Sequence, residues 1–218
     1  MVILEGLWKT YGKGASAKCV ARGLDVRFAS GASIAILGRN GAGKSTLLRM
    51  IAGTLDPDRG RVVRHGSVSW PVGFAGSFHP DLTGAQNIRF VARVHGLDAA
   101  ALVDFVENFA ELGAHFHQSF RTYSSGMKAR LAFGASMGVG FDTYLVDEVT
   151  AVGDAAFRRK SVDLLRDRLR SAGAFVVSHS MPLVRQLCTA GAVLDDGDLL
   201  LFDDLEAAIH HHEATMAA

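Results

Sequence analysis

The chain contains, at residues 38–45, the stretch Gly38-Arg39-Asn40-Gly41-Ala42-Gly43-Lys44-Ser45. An apolar run at residues 33–37 precedes it, and a helical pattern at residues 46–52 follows it. Glycines let the backbone turn tightly, so that successive N–H groups point at phosphate oxygens, and the helix N-terminus adds partial positive charge. The lysine and serine at its end supply a mobile cation and a hydroxyl that can ligate Mg²⁺. The stretch therefore predicts a nucleotide-binding phosphate loop between a strand and a helix.

The bulk composition excludes several classes of protein. The chain has 218 residues and a formal net charge of +1, which gives no sign of a surface for nucleic acid. No apolar run approaches the length of about 18 residues that a membrane helix needs, and no signal peptide is recognisable. Cys19 and Cys188 are too few for a disulfide framework and lack metal-ligand spacing. We expect a cytosolic protein with an apolar face for a partner.

Strand and helix patterns alternate along the chain and predict the fold class. Residues 2–8 and 24–28 are typical of antiparallel strands, the second with apolar and polar residues alternating. Short apolar runs predict the strands of a mainly parallel sheet, at residues 33–37, 143–147 and 174–177. The predicted fold is α/β, one domain over residues 1–218, with an N-terminal antiparallel β subdomain and a helical insert at about residues 72–140.

A pair of acidic residues, Asp147-Glu148, follows one of these apolar runs. A carboxylate at the end of a buried strand can hold the Mg²⁺ shell, and its neighbour can polarise an attacking water. In isolation, such a pair is more typical of a solvated loop. In a chain that also has a phosphate loop, the pair favours nucleotide hydrolysis.

The stretch Tyr123-Ser124-Ser125-Gly126-Met127 lies about twenty residues before the acidic pair and opens a helical pattern. It resembles the signature motif of ATP-binding cassette (ABC) ATPases. Ser124 by itself can equally be read as an ordinary helix N-cap. The resemblance implies a head-to-tail homodimer in which Ser124, Ser125 and Gly126 contact the ATP bound by the other subunit.

The resemblance to ABC ATPases covers essentially the whole chain and implies further roles. His179 matches the switch histidine that senses the γ-phosphate, and Gly153-Asp154 matches a loop that crosses the dimer interface. Without the resemblance, a lone tyrosine at position 11 would be read as packing and an isolated histidine as structural. The implied ATP-binding residues are Tyr11, which would stack on adenine, and Gly38, Arg39, Asn40, Gly41, Ala42, Gly43, Lys44, Ser45 and Thr46. The implied cofactors are ATP and Mg²⁺, with Glu148 and His179 as catalytic residues, and Ser45 and, through water, Asp147 at the metal.

Four stretches are similar to the ATP-binding subunits of capsular-polysaccharide exporters, with O-antigen and teichoic-acid exporters next. They are residues 38–51, 69–74, 122–127 and 146–154. The resemblance implies a motor subunit that is bound to integral membrane permease subunits on the cytoplasmic side of the inner membrane. The complex, and not this chain, would handle the polysaccharide. O-antigen exporters often add a carbohydrate-binding domain, so a chain that ends at residue 218 favours the capsule type.

The chain departs from the superfamily pattern at three positions. The glutamine that usually begins the helical insert is missing, and the nearest glutamine, Gln86, falls on the next predicted helix. Val149 stands where a proline commonly follows the catalytic glutamate, and Ser125 replaces a glycine. We interpret all three as features of the polysaccharide-export branch, although the missing glutamine leaves the metal sphere and the coupling route open.

Two other classes of protein are compatible with a phosphate loop. Soluble cassette ATPases of DNA repair contain long coiled coils, and those of translation usually carry two cassettes, neither of which this sequence has. A nucleotide-dependent regulator without hydrolysis would not need Lys44, Asp147, Glu148 and His179 together. His210-His211-His212 is more typical of an exposed tail than of a metal site.

Overall fold

The computed structural model describes residues 1–12, 14, 17–148 and 154–217. The strands are β1 (Val2–Tyr11), β2 (Lys18–Phe28), β3 (Ser33–Leu37), β4 (Arg59–Arg64), β5 (Val68–Pro71), β6 (Thr143–Asp147), β7 (Gly173–Val177), β8 (Ala190–Asp195) and β9 (Asp198–Phe202). The α-helices are α1 (Lys44–Ala52), α2 (Gly84–Val94), α3 (Ala99–Ala110), α4 (Ser125–Val139), α5 (Ala155–Leu169), α6 (Met181–Leu187) and α7 (Leu205–Ala217). Short 3₁₀ helices span Gly113–His117 and Phe120–Thr122.

The larger sheet has the strand order β5-β6-β7-β3-β8-β9, and all neighbours are parallel except the antiparallel pair β8 and β9. Every residue of β3 and β7 is buried, which explains why both strands read as continuous apolar runs. Parallel strands end at the same edge of a sheet. The residues that follow β3, β6 and β7 therefore lie side by side. The predicted α/β class with a mainly parallel sheet is confirmed.

The smaller sheet is antiparallel with the order β2-β1-β4, as predicted for the N-terminal region. Its first two strands are longer than expected: β1 continues beyond the predicted end at residue 8 to Tyr11, and β2 begins at Lys18, before the predicted start at residue 24. The end of β1 could not be predicted because the alternation of inward-facing and outward-facing side chains is interrupted within the strand. Gly6 has φ of +53° and the pairing register shifts between Leu4 and Leu7, so the side-chain pattern changes phase while the strand goes on.

The core of the large sheet also contains α1, the helix that follows the phosphate loop. Leu47, Leu48, Met50 and Ile51 are all at most 1% exposed and belong to one apolar cluster with residues of β3 and β7. Burying each such side chain contributes about 1.5–3 kcal/mol. The start of α1 is therefore held in a well-packed position.

The residues group into two compact units. The first is drawn from Met1–Pro71, Phe141–Glu148 and Leu169–Ala218 and contains both sheets. The second is drawn from Val72–Gly140 and Val149–Arg168 and is helical. Through the part of the chain that the structure describes, no helix has the length and apolar character needed to cross a membrane.

Candidate nucleotide site

The phosphate loop runs from the end of β3 to the start of α1 and requires glycine for two separate reasons. Gly38, Gly41 and Gly43 have φ of +146°, +78° and +109°, a region that disfavours residues with a Cβ. Space is also lacking. A Cβ on Gly38 would lie 2.3 Å from the Leu194 carbonyl oxygen, and one on Gly43 would lie 2.1 Å from Val20 Cγ1. Leu194 and Val20 therefore pack directly against the loop backbone.

The N-terminus of α1 is open toward a ligand. Its N-cap residue is Gly43, which offers no side chain to accept hydrogen bonds from the first turn. The N–H groups at a helix start have no partner within the helix, and they lie at the positive end of its dipole. This geometry suits a phosphate group.

The side chain of Lys44 folds back over the loop. Its Nζ donates hydrogen bonds to the carbonyl oxygens of Gly38, at 2.7 Å, and Arg39, at 3.0 Å. Burial lowers the pKa of Lys44, while the nearby carboxylates of Glu148 and Asp147 act in the opposite direction. The ammonium group therefore lies directly beside the backbone that would cradle the phosphates.

Ser45 and Asp147 meet at the edge of the large sheet, where Ser45 Oγ donates a hydrogen bond to Asp147 Oδ1 at 3.2 Å. Mg²⁺ prefers oxygen ligands and is usually bound by one or two protein groups together with waters and substrate phosphates. A hydroxyl beside one carboxylate fits that requirement. Within the described ranges no group of three or more His, Cys, Asp or Glu side chains could hold a metal ion.

Glu148 follows β6 and contacts His179, which follows β7. His179 Nε2 lies 3.0 Å from Glu148 Oε1, and the two side chains are 63% and 57% exposed. The backbone N–H of Glu148 donates to the Val177 carbonyl at 2.9 Å, and its φ is +53°. A non-glycine residue in this conformation costs about 1–2 kcal/mol, and such strain is typical of functional sites. An exposed carboxylate beside an imidazole can accept a proton from water.

A cleft of about 440 Å³ lies within the first unit, and Asp147 is not among the residues that line it. Of the residues predicted to bind or hydrolyse ATP, it is lined by Tyr11, Asn40, Gly41, Gly43, Lys44, Ser45, Thr46, Glu148 and His179. Gly38, Arg39 and Ala42 belong to the loop but do not line the cleft. The volume falls in the range of small-ligand sites, roughly 300–1,000 Å³. The individual roles of these residues remain predictions.

Three further residues line the cleft that sequence reasoning did not identify: Lys18, Val20 and Val177. Lys18 and Val20 lie in the first half of β2, ahead of the alternating pattern that predicted this strand. The pairing of Tyr11 with Lys18 across β1 and β2 brings them to the cleft. A hairpin prediction that extended the first strand to Tyr11 would have found them.

The predicted signature residues open α4 in the second unit. Ser124 is the N-cap residue, and its Oγ accepts a hydrogen bond from the Met127 N–H at 3.2 Å. Ser125 and Gly126 form the first turn, and Ser124 and Ser125 are exposed. The capping interpretation of Ser124 therefore holds in the single chain. Capping leaves the other first-turn N–H groups available to an anion.

Asp154, predicted for the dimer-interface loop, has contacts within its own chain. Its Oδ1 accepts hydrogen bonds from the N–H groups of Ala156 and Phe157 at 3.0 and 2.9 Å, and its Oδ2 lies 3.1 Å from Arg130 on α4. The backbone donor at Phe157 is the largest cause that lowers the pKa of Asp154. Val149 and Gly153, which the sequence also singled out, lie outside the described residues.

A phosphate loop between a parallel strand and a helix, with a carboxylate pair at the end of a nearby strand, defines a P-loop nucleoside triphosphatase. A family model described as "ABC transporter" matches residues 21–151, a range that includes the loop, the signature and the acidic pair. The chain therefore belongs to the ABC transporter family, and as a member of this family it binds and hydrolyses ATP.

The comparisons with individual proteins agree with this family. The chain is 42% identical to the polysialic acid transport ATP-binding protein KpsT of Escherichia coli, over 98% of this chain and 96% of that protein. It is 40% identical to the capsule polysaccharide export ATP-binding protein CtrD of Neisseria meningitidis, over 98% and 99%. The predicted resemblance to capsule-export ATP-binding subunits is confirmed.

A solved structure of similar fold is a dimeric ATP-binding cassette in a post-hydrolysis state bound to ADP and Pi. The TM-score is 0.77 at 20% identity, over 92% of this chain and 98% of that one. At this identity the likeness extends to the fold alone. It confirms the predicted ABC ATPase fold.

Proposed function

We propose that this chain is the ATP-hydrolysing motor subunit of a membrane exporter of capsular polysaccharide, and that residues 1–218 act as one nucleotide-binding domain. The observation that carries the proposal is the near full-length similarity to KpsT and CtrD, in a chain whose cleft contains Lys44, Ser45, Glu148 and His179. Export of O-antigen or teichoic acid is the alternative within the family. The subunit would lie peripherally on the cytoplasmic side of the inner membrane.

The proposed working form is a homodimer with two ATP sites. Each ATP would lie between the phosphate loop of one copy and the residues Ser124, Ser125 and Gly126 of the other. The exposure of Ser124 and Ser125 at a helix start supports this assignment. The charge of ATP would hold the dimer closed, and hydrolysis would release it.

Within each site, the residues would have different roles in binding and hydrolysing ATP. Lys44 would exchange its two loop carbonyls for phosphate oxygens, which offer a stronger, charge-assisted hydrogen bond. Ser45 and Asp147 would hold Mg²⁺, which supplies neutralisation of the developing phosphate charge. Glu148 would accept the proton of the attacking water, and His179 would keep that carboxylate in place through the contact of 3.0 Å.

An exposed apolar stripe on α2 supports a partner surface in the second unit. Phe90 and Val94 are 59% and 63% exposed and lie one turn apart on α2, and Leu97, which is 37% exposed, follows the end of the helix. Arg89 and Arg93 flank the stripe, and among the described residues neither guanidinium group has an ion pair. Apolar anchors beside free cations fit an amphipathic helix with acidic residues. We assign this amphipathic partner helix, which would pack against α2, to a cytoplasmic segment of the integral membrane subunit.

The segment that precedes α2 is hydrogen-bonded to the segment that precedes the signature residues. The backbone N–H of Phe120 donates to the Leu82 carbonyl and that of Arg121 to the Pro80 carbonyl, both at 2.8 Å. Gln86, the nearest substitute for the missing glutamine, is instead engaged in a capping box with Thr83. These contacts support a coupling route from α2 to Ser124 that does not need a glutamine at the start of the insert.

The substitution Phe90→Asp is expected to abolish co-purification with the membrane subunit, because it replaces the largest exposed apolar side chain of the stripe with a carboxylate. ATP binding by the isolated subunit should stay within about twofold of the unchanged protein, since exposed positions rarely affect folding. The measurement is recovery of the tagged subunit from detergent-solubilised membranes. Leu200→Asp, at another exposed apolar position, is the matched control. Normal co-purification of the Phe90 variant would contradict the assigned surface.

The substitution Ser124→Arg is expected to block ATP-dependent dimer formation while leaving ATP binding at the phosphate loop intact. The long cation would occupy the space that the signature must offer to the partner's nucleotide. Light scattering with and without ATP measures the dimer. Ser124→Asn is the control, because asparagine retains the helix cap. Undiminished dimer formation by the arginine variant would exclude the signature role.

The transport function is tested by removing the gene from its own organism. Loss of the surface polysaccharide, with polymer retained inside the cell, is the expected result, and a copy that carries Lys44→Ala should not restore export. Identification of the missing polymer separates capsule from O-antigen or teichoic acid. Unchanged surface polysaccharide would contradict the proposal. Phosphate release by the purified protein separates a motor from a regulator that binds ATP without hydrolysis.

A further inference from the structure

Lys18 enters the cleft from the antiparallel sheet, opposite the residue proposed to stack on adenine. In the register of β1 and β2, Lys18 pairs directly with Tyr11. Directly opposed residues of antiparallel strands point to the same side of the sheet, with Cβ atoms about 4.5–5.5 Å apart. Both side chains line the cleft. Lys18 therefore lies at the base end of the site, the end of the cleft where Tyr11 is proposed to stack on adenine.

The other end of the Lys18 side chain reaches the phosphate loop. A Cβ built on Gly41 would lie 3.2 Å from Lys18 Nζ, so the ammonium group lies beside the loop backbone. Unlike Lys44, which donates to two carbonyl oxygens, Lys18 has no hydrogen-bond or ion-pair partner in residues 1–12, 14, 17–148 and 154–217. This cation is available to a ligand.

We propose that Lys18 is a second cationic nucleotide-binding residue, whose ammonium group contacts a non-bridging phosphate oxygen of ATP or ADP. The inference rests on the proposed nucleotide site, and it adds a residue that the loop, acidic and signature motifs do not contain. Its position supports phosphate recognition, since it bridges Tyr11 at the base end and Gly41 at the phosphate end. A lysine suits this task because it is a compact charge on a flexible stem.

The two cations of the site differ in how they respond to salt. Lys18 is exposed, so its attraction to phosphate is screened as ionic strength rises. Lys44 is partly buried and hydrogen-bonded, so its contribution is screened less. The salt dependence of ATP affinity should therefore depend on Lys18.

The test compares Kd values of the purified full chain for ATP, ADP and adenosine by calorimetry at two salt concentrations. Lys18→Met, which keeps the length of the side chain, is expected to weaken ATP and ADP binding about five- to twentyfold and to leave adenosine unchanged, as loss of one exposed charge-assisted contact predicts. Its ATP affinity should also depend less on salt. Lys18→Arg should remain within about threefold of the unchanged protein.

The matched control is Arg27→Met, which removes one positive charge from the same strand at an exposed position outside the cleft lining. An effect of this control equal to that of Lys18→Met would assign the loss to net charge and overturn the proposal. ATP affinity of Lys18→Met within twofold of the unchanged protein would also overturn it, as would an equal loss of adenosine binding. Failure of the unchanged protein to bind any nucleotide would instead contradict the nucleotide site itself.

Discussion

Glu148→Gln is expected to slow ATP hydrolysis by about 10²- to 10⁴-fold, the usual contribution of a general base, and to leave ATP binding nearly unchanged. The amide has the shape of the carboxylate and can still contact His179, but it cannot take a proton from water. ATP that binds without being hydrolysed should hold the two copies together. Closed dimers should therefore accumulate.

Two measurements check this expectation: phosphate release at saturating ATP and the fraction of dimer by light scattering. Glu111→Gln is a matched control, because Glu111 is an exposed glutamate with the same φ of +53° and lies in the other unit. Near-normal turnover of the Glu148 variant would exclude Glu148 as the base. Slow turnover without dimer accumulation would retain the base and reject the proposed closed state.

Lys44→Ala is expected to weaken ATP binding by about 10²-fold or more. Hydrogen bonds to charged groups contribute about 1.5–3 kcal/mol each, and Lys44 Nζ is placed so that it can donate to two acceptors at once. The same change also removes the two hydrogen bonds that Lys44 donates to the loop backbone. Lys44→Met also loses these hydrogen bonds but retains most of the side-chain volume, so comparing the two variants separates loss of the ammonium group from loss of packing.

Calorimetric titration with ATP is the measurement for both Lys44 variants, and thermal unfolding reports whether the loop remains folded. Since burial lowers the pKa of Lys44 from its ordinary value of 10.5, ATP affinity of the unchanged protein should fall as pH rises through that lowered pKa, where the ammonium loses its proton. The Lys44→Met variant should lack this dependence. Tight ATP binding by that variant would remove Lys44 from the site.

The features that were predictable from sequence are those whose physical requirements are local. The run at residues 33–37 is β3 as predicted, because a strand buried on both faces needs a short continuous apolar segment. The phosphate loop was predictable for the same reason, since glycine supplies both the required φ and the required space at positions 38 and 43. The helix that begins beside Ser124 was predictable from its capping residue.

The features that escaped prediction depend on pairing between distant segments. The length of β1 could not be read from its pattern, because the irregularity at Gly6 changes which side chains face inward. The position of Lys18 in the cleft lining depends on the pairing register of β2 against β1, which places Lys18 opposite Tyr11. The contact between Glu148 and His179 arises because β6 and β7 are neighbours in the large sheet, an order that the linear sequence does not state.

The close contact of Val20 with Gly43 has a consequence for how the two ends of the cleft respond to a ligand. Val20 lies on the strand that also contains Lys18, and a Cβ at position 43 would lie only 2.1 Å from its methyl group. If a phosphate moved the loop at Gly43, the loop would press on the strand that borders the base. Adenosine and inorganic pyrophosphate, offered as separate fragments, should not bind independently, and the affinity of ATP should differ from the sum of its parts.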